Sequence, residues 1–384
     1  MTERVAYTAQ RVFDGDAIHE NAAVLVTDRA IAGLVSVSEI PDAFPVEDLG
    51  RGLLSPGLVD LQVNGGGGVM LGDARSLDDL AAICAAHVPL GTTAMTPTLI
   101  TDTPETTRRI VALGIEAAAK GVPAFKGLHL EGPHLSANRK GAHDAGLIRP
   151  ITEEDLTLYL EAAGQLPSLM ITIAPETVTP DQIARLGNGG VHVSLGHTGA
   201  GYEACQLAVD AGAACVTHLF NAMSPLQHRE PGLVGAALDL GNLSAGLIAD
   251  GIHVDPVAVR VAMKSKRGPG RIFLVTDAMS QTGTDVSSFT LGGRKIFRKN
   301  GMLCLADGTL AGADIDLPAS MRFLCESVGV DRHTALKMAT SYPADVIGLP
   351  VGRLRPDRAA DMVLFGADFT VERVWLGGKP ANSP

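Results

Sequence analysis

Eight short apolar or β-branched runs recur through the middle of this chain, near residues 58–63, 92–97, 125–131, 169–175, 191–197, 214–218, 243–249 and 271–277. No other feature restricts the fold so tightly. Between most of them lie stretches with helical spacing: SLDDLAAICAAHV, PETTRRIVALGIEAAAKG, TEEDLTLYLEAAG, YEACQLAVDAG and DPVAVRVAMKSK. Ser76, Thr152 and Asp255 stand where N-caps belong, and Pro104 and Pro256 suit a first helical turn. Eight strands separated by helices predict an α/β chain, a TIM-like (β/α)8 barrel rather than an open sheet. The barrel is expected over 55–349. After its eighth strand, FTLGGRKIFRKNGMLCLADGTLAG inserts β structure near 285–312, with turns at Asn300-Gly301 and Asp307-Gly308. Helix then resumes at DLPASMRFLCESVG. Residues 1–54 and 350–384 both read as short strands with turns between them. The two chain ends are therefore expected to form one small β-sandwich domain.

At 384 residues the chain has ample length for a sizeable core. Lys plus Arg total 31 against 42 Asp plus Glu, a formal charge of −11. A globally acidic surface argues against a nucleic-acid partner, which calls for a basic face, yet leaves room for a locally basic pocket. The five cysteines (Cys84, Cys205, Cys215, Cys304, Cys325) form no C-x-x-C pair, and most sit among Ala, Val and Leu. They read as inert core thiols. The opening MTERVAYTAQRVFDGD has no apolar signal region. The longest low-charge stretch, 233–249, is broken by Asp239, Asn242 and glycines, so no membrane span is expected. A cytoplasmic location follows as the expectation.

In such a barrel the chemistry gathers at the C-terminal ends of the strands. The first run ends VDLQVNGG, where period-two alternation puts Asp60, Gln62 and Asn64 on one face. The third ends GLHLEGPH, with His129 and Glu131. The fifth ends SLGHTG with His197, the sixth CVTHLFNA with His218, and the eighth FLVTDAMS with Asp277. Glu131, His197 and His218 make a carboxylate and two imidazoles, the ligand set of a catalytic zinc site with one open position. Asp277 is then placed to take a proton from a metal-activated water and return it to a leaving group. A lone strand-end His is more often a hydrogen-bonded core residue, and a lone Asp more often a helix cap. Four at barrel mouths are hard to read as four independent accidents.

The strings PGLVDLQVNG, HLEGPHLSANRKGAH, SLGHTGAGYEACQLAVDAGA, THLFNAMSPLQHREPGLVGAAL, IADGIHVDP and LVTDAMS, taken in order, resemble the N-acetylglucosamine-6-phosphate deacetylases of the amidohydrolase superfamily. That resemblance implies a metal-dependent barrel with a small β-sandwich, usually as a homodimer. It implies one divalent metal per subunit, Zn2+ foremost with Fe2+ or another ion compatible, held by Glu131, His197 and His218. Asp277 is implied as the catalytic acid/base, with His143 polarising the carbonyl. Asn221 and Ala222 are implied to meet the sugar phosphate, with Arg229 reaching it from the partner subunit. His253, Ala142, His143 and the Leu310-Ala311-Gly312 loop are implied to line the sugar and acetamide side. His228 reads as a bystander. The implied substrate is a small amino-sugar phosphate, and the reaction is hydrolysis of its acetamide in amino-sugar catabolism or recycling.

Two departures are informative. Many amidohydrolases carry His-x-His on the first strand and bind a second metal, whereas this chain has Gln62 and Asn64, poor zinc ligands but good hydrogen-bonders. The fourth run, LMITIAPE, also lacks a bridging Lys, so Gln62 and Asn64 mark a vestigial second-metal position. His134 stands where an aromatic residue is common. Two other readings remain open from the residues. Another mononuclear amidohydrolase, such as a nucleobase deaminase, shares the four polar groups but needs no phosphate clamp at Arg229. A catalytically dead barrel acting as a binding protein is distinguished by metal analysis.

Overall fold

The computed structural model describes residues 3–381. Eight parallel strands follow the eight runs: β1 (Leu58–Val63), β2 (Thr92–Ile100), β3 (Leu128–Glu131), β4 (Leu169–Ile173), β5 (His192–Leu195), β6 (Cys215–Val216), β7 (Ser244–Leu247) and β8 (Ile272–Leu274). They pair in sequence order, and a bridge between Val63 and Ala278 joins the two edges just beyond the strand ends. There Asn64 N–H donates to the Ala278 carbonyl (2.7 Å) and Asp277 N–H to the Gln62 carbonyl (3.0 Å). The third strand begins three residues later than its apolar run. The sixth is only two residues long, because the chain turns away at once toward His218.

Five of the surrounding helices are those read from spacing: α1 (Leu77–His87), α2 (Pro104–Lys120), α3 (Glu153–Ala163), and, further on, Tyr202–Asp210 and Pro256–Ser265. Their caps form as expected. The Ser76 hydroxyl accepts the Asp79 N–H, the Thr152 hydroxyl the Asp155 N–H, and the Asp255 carboxylate the Val257 N–H. Each cap contributes roughly 1 kcal/mol by satisfying an N–H with no partner inside the helix. Two more helices, Pro180–Asn188 and Gly232–Asp239, complete the ring between β4 and β7. Gly232–Leu238 is buried on every side, so it shows no apolar stripe to announce a helix.

Both chain ends contribute to one sheet, whose strands run in the order Lys379–Pro380, Val371–Leu376, Met362–Phe365, Leu53–Pro56, Arg4–Phe13, Ile18–Thr27, Ala30–Ser36. Trp375 and Tyr7 pack edge to face at its centre, 5.2 Å between ring centroids. The inserted segment forms a four-stranded antiparallel flap: Ser288–Leu291, Arg294–Lys299, Met302–Cys304 and Leu310–Ala313. Asn300 (φ 53°) and Gly301 (φ 73°) make the tight turn that the flap requires. Its last strand is tied to the barrel, since Ala313 N–H donates to the carbonyl of Asp277 (3.1 Å). Cys84, Cys205 and Cys215 are buried, and burial pushes each thiol up to about 12, whereas Cys304 and Cys325 are half-buried. No helix among the described residues is long and apolar enough to cross a membrane.

Candidate active site

Glu131 ends β3, His197 lies two residues beyond β5, His218 two beyond β6 and Asp277 three beyond β8. All four are buried. The barrel brings three of them onto one point. Glu131 Oε1 lies 3.2 Å from His197 Nε2 and 3.0 Å from His218 Nε2, and those two nitrogens are 3.0 Å apart. His197 Nδ1 donates to the Arg139 carbonyl (2.9 Å), which leaves the Nε2 lone pair aimed into the cluster. His218 Nδ1 finds no partner among the described residues. Two imidazole nitrogens facing one carboxylate oxygen at such spacing ask for a cation between them. Ligand bonds near 2.0–2.2 Å around a tetrahedral ion put donor atoms about 3.3 Å apart, so this nitrogen and oxygen set fits a divalent metal.

His143 borders the same cluster. Ligand atoms of Glu131, His143 and His197 lie within 4.8 Å of one another, and His143 Nε2 is 3.9 Å from Glu131 Oε2. Its tautomer decides its role. His143 Nδ1 accepts the Thr101 backbone N–H (3.3 Å) and lies 2.8 Å from the Thr101 hydroxyl. A backbone N–H can only donate, so Nδ1 is the acceptor and the ring proton sits on Nε2. Burial, reinforced by the charge of His197, pushes His143 down to about 3 and keeps it neutral. A protonated Nε2 cannot ligate a metal, but it can donate to a substrate oxygen. Gly132 makes room for this arrangement: at φ +91°, a Cβ there would stand 2.3 Å from the Thr101 hydroxyl oxygen.

Asp277 faces the cluster from the other side and is held by the first strand. Asn64 Nδ2 donates to Asp277 Oδ1 at 2.6 Å, and Gln62 Nε2 donates to the same oxygen at 3.1 Å and to Glu131 Oε1 at 3.1 Å. Two amides thus pin one carboxylate oxygen and leave Oδ2 for proton transfer. Burial, and next the negative charge of Glu131, push Asp277 up to about 6. Burial works the same way on Glu131, yet its hydrogen bonds with His197 and His218 outweigh it and hold that carboxyl well below the usual range. One carboxylate stays ionised beside the imidazoles while the other is poised to exchange a proton near neutrality. Asp60 sits lower on the same strand, 2.6 Å from the Thr276 hydroxyl, and burial pushes it up to about 7.

His197 (φ 46°), His218 (φ 28°), Ala222 (φ 49°) and Asp277 (φ 53°) all adopt left-handed backbone, which costs non-glycine residues roughly 1–3 kcal/mol each. The turn off each strand end is what re-aims these side chains at a common centre.

A cavity of about 430 Å3 opens over the cluster. Asn64, Glu131, Ala142, His143, His197, His218, Asn221, Ala222, His253, Asp277, Leu310, Ala311 and Gly312 all reach it. Gln62 lies just beneath, on Asp277 and Glu131. Arg229 does not line it. That side chain borders a separate, more open surface cavity of about 810 Å3 with Tyr202, Leu226 and Glu230. Two residues that spacing did not single out support the site from behind: Thr101 under His143, and Asp250 under His253. Asp250 Oδ2 lies 2.6 Å from His253 Nδ1, and Oδ1 accepts the N–H groups of Ile252 and His253, both at 2.8 Å. ADGIH contains that Asp, and an acid three residues before a candidate His was the available signal.

A parallel barrel with a carboxylate, two imidazoles and an opposed aspartate at its strand ends is the framework of a metal-dependent hydrolase. The amidohydrolase family matches residues 53–381, and the chain belongs to that family. It is 40% identical to the N-acetylgalactosamine-6-phosphate deacetylase of Shewanella sp. over 94% of this chain and 91% of that protein. It is 33% identical to the N-acetylglucosamine-6-phosphate deacetylase of Haemophilus influenzae over 93% and 94% of the two chains. Among solved structures, the N-acetylglucosamine-6-phosphate deacetylase of Pasteurella multocida superposes with a TM-score of 0.94, at 32% identity, over 99% of this chain and 100% of that one.

Proposed function

We propose that this chain hydrolyses the acetamide of N-acetyl-D-glucosamine 6-phosphate, giving D-glucosamine 6-phosphate and acetate. The observation that carries the reading is the Asp277 carboxylate, pinned by Asn64 and Gln62 opposite the Glu131, His197 and His218 cluster. Family members of this kind work with a bound metal, and the cluster has the donors for one divalent ion, Zn2+ foremost. When bound, such an ion polarises the scissile carbonyl and lowers the pKa of a water to about 7.

The remaining work falls to the chain's own groups. Asp277 Oδ2 takes the proton of the attacking water and passes it to the departing amine nitrogen. His143 Nε2–H donates to the carbonyl oxygen as charge builds there. Asn221 and Ala222 meet the sugar phosphate, and His253 with Leu310, Ala311 and Gly312 on the last strand of the flap lines the sugar and acetamide side. Arg229, which borders a separate surface cavity and does not line the substrate cavity, fits a clamp on the phosphate in the partner subunit of a homodimer, since a planar guanidinium suits phosphate oxygens. The enzyme is read as cytoplasmic, acting in amino-sugar catabolism.

The Shewanella relative favours a second reading of the substrate, the C4 epimer N-acetyl-D-galactosamine 6-phosphate. The deaminase and binding-protein readings are set aside, because relatives that match 93–94% of the chain carry the name of amino-sugar phosphate deacetylases. The test is acetate release from both 6-phosphates and from unphosphorylated N-acetylglucosamine, on protein of measured metal content. Turnover that requires the phosphate supports the reading, and the epimer with the higher kcat/KM identifies the substrate. Metal-loaded protein that releases no acetate from either refutes it.

A further inference from the structure

A second chamber of about 480 Å3 lies beside the substrate cavity, over the ends of β1 to β3 and against the flap. Ile100, Ala142, His143 and Leu291 line both. The mechanism above leaves this chamber unused. Its partition from the substrate cavity is mostly apolar: Met70, Met279, Leu291 and Ala311 pack in one buried cluster between barrel and flap, with Ile100 and Ala142 half-buried against it. Arg294 of the flap donates to the Ala142 carbonyl and fixes the partition from the chamber side. Three acids and Lys140 also line the chamber: Asp73 is exposed, Asp102 accepts the Thr103 N–H (2.7 Å) and Asp144 the Gly146 N–H (2.9 Å).

The reacting amide carbon has three substituents in one plane, and the roles proposed above give each a direction. The oxygen faces the cluster and His143 Nε2, beside β3. The nitrogen faces Asp277, beyond β8, and carries the sugar toward Asn221, Ala222 and His253. The acyl chain takes the remaining side, over β1 and β2, where Ile100 and Leu291 form the wall. These are also the two larger apolar side chains shared with the second chamber.

We propose that the chamber is an acyl-tail site, and that the chain also hydrolyses 6-phosphorylated amino sugars bearing propionyl or butyryl in place of acetyl, the tail entering between Ile100 and Leu291. The proposal rests on the deacetylase reading. Its chemistry is unchanged: the C–N bond breaks, the water oxygen joins the acyl carbon, the amine nitrogen takes the proton held by Asp277, and a short fatty carboxylate leaves.

The experiment compares kcat/KM of the metal-loaded enzyme for N-acetyl-, N-propionyl- and N-butyryl-glucosamine 6-phosphate, in the wild type and in Leu147→Trp. Leu147 lines the second chamber alone. Leu147→Phe is the smaller intrusion should the Trp variant not fold. Wild-type kcat/KM for the N-butyryl substrate is expected within about tenfold of the N-acetyl value, because a methylene that finds apolar room is neutral to favourable. A closed pocket rejects each misfit methylene by about 10- to 200-fold, so a loss of about a hundredfold or more overturns the proposal. In the Leu147 variant, N-acetyl turnover is expected to persist while N-butyryl turnover falls about tenfold. An equal loss on every substrate, or no loss on N-butyryl, also overturns it. Failure of all three substrates in the wild type refutes the deacetylase reading itself, and so is told apart from failure of the tail site.

Discussion

Replacing Asn64 by Leu removes the shorter of the two amide donors to Asp277 Oδ1, at 2.6 Å, and leaves that of Gln62 at 3.1 Å. A hydrogen bond to a charged group contributes roughly 1.5–3 kcal/mol, here to the ionised form of Asp277 alone. At 1.36 kcal/mol per pH unit this corresponds to about one to two units. Asp277 already stands at about 6 through burial and the charge of Glu131. Losing a donor that favours the anion moves it further up. The base is active when ionised, so activity rises with pH through this titration, and the acid limb must move to higher pH. The assay is the pH profile of kcat/KM, whose acid limb reports the free enzyme. Asn64→Leu is expected to shift that limb up by about one to two pH units while the high-pH plateau stays within a few-fold of wild type. A variant whose plateau falls but whose limb does not move would refute the reasoning, because Asn64 would then be a packing residue rather than a donor that sets Asp277.

Other outcomes follow from the same geometry. Asp277→Asn should lower kcat by about 10²–10⁴, with metal content by elemental analysis unchanged. Glu131→Ala should instead lose the divalent ion on dialysis together with activity, and retention of the ion would remove Glu131 from the ligand set. Thr101→Val should lower kcat/KM about two- to tenfold by removing the hydroxyl partner of His143 Nδ1 while the backbone N–H remains, with Thr101→Ser near wild type, matching a neutral hydrogen bond of roughly 0.5–1.5 kcal/mol. Equal activity in both would mean that His143 needs no such partner. Away from the site, burial pushes Asp155 up, but hydrogen bonds from Arg149 and Thr152 outweigh it and hold the carboxyl at about 2. Such a depressed carboxyl stabilises the fold above its unfolded value of about 4, and the gain is lost as pH falls through about 2. Asp155→Asn should therefore cost about 2 kcal/mol in urea unfolding at neutral pH, and the gap should close in strong acid.

Much of this protein was legible before folding, for reasons that differ by element. The eight strand runs and the caps Ser76, Thr152 and Asp255 are local chemistry, settled within a few residues of chain. Glu131, His197, His218 and Asp277 were legible because a parallel barrel sends every strand end to one face. The helix at 232–239 was not, since a segment buried all round carries no stripe. Nor were Thr101 and Asp250, which do not line the substrate cavity and differ from ordinary caps only in what they lean against.

The amino-acid order by itself determined the strand count, the parallel barrel and which polar side chains arrive at its mouth, because hydrophobic periodicity and strand-end position are written along the chain. Tertiary structure alone decided how those groups work. Asn64 meets Asp277 across 213 positions of sequence. The left-handed turns at His197, His218 and Asp277, the tautomer of His143, and the chamber behind Ile100 and Leu291 likewise arise from packing distant segments at one end of the barrel. Hydrogen-bond direction and electrostatic shifts depend on distances of a few ångströms, and those exist only once the barrel has closed.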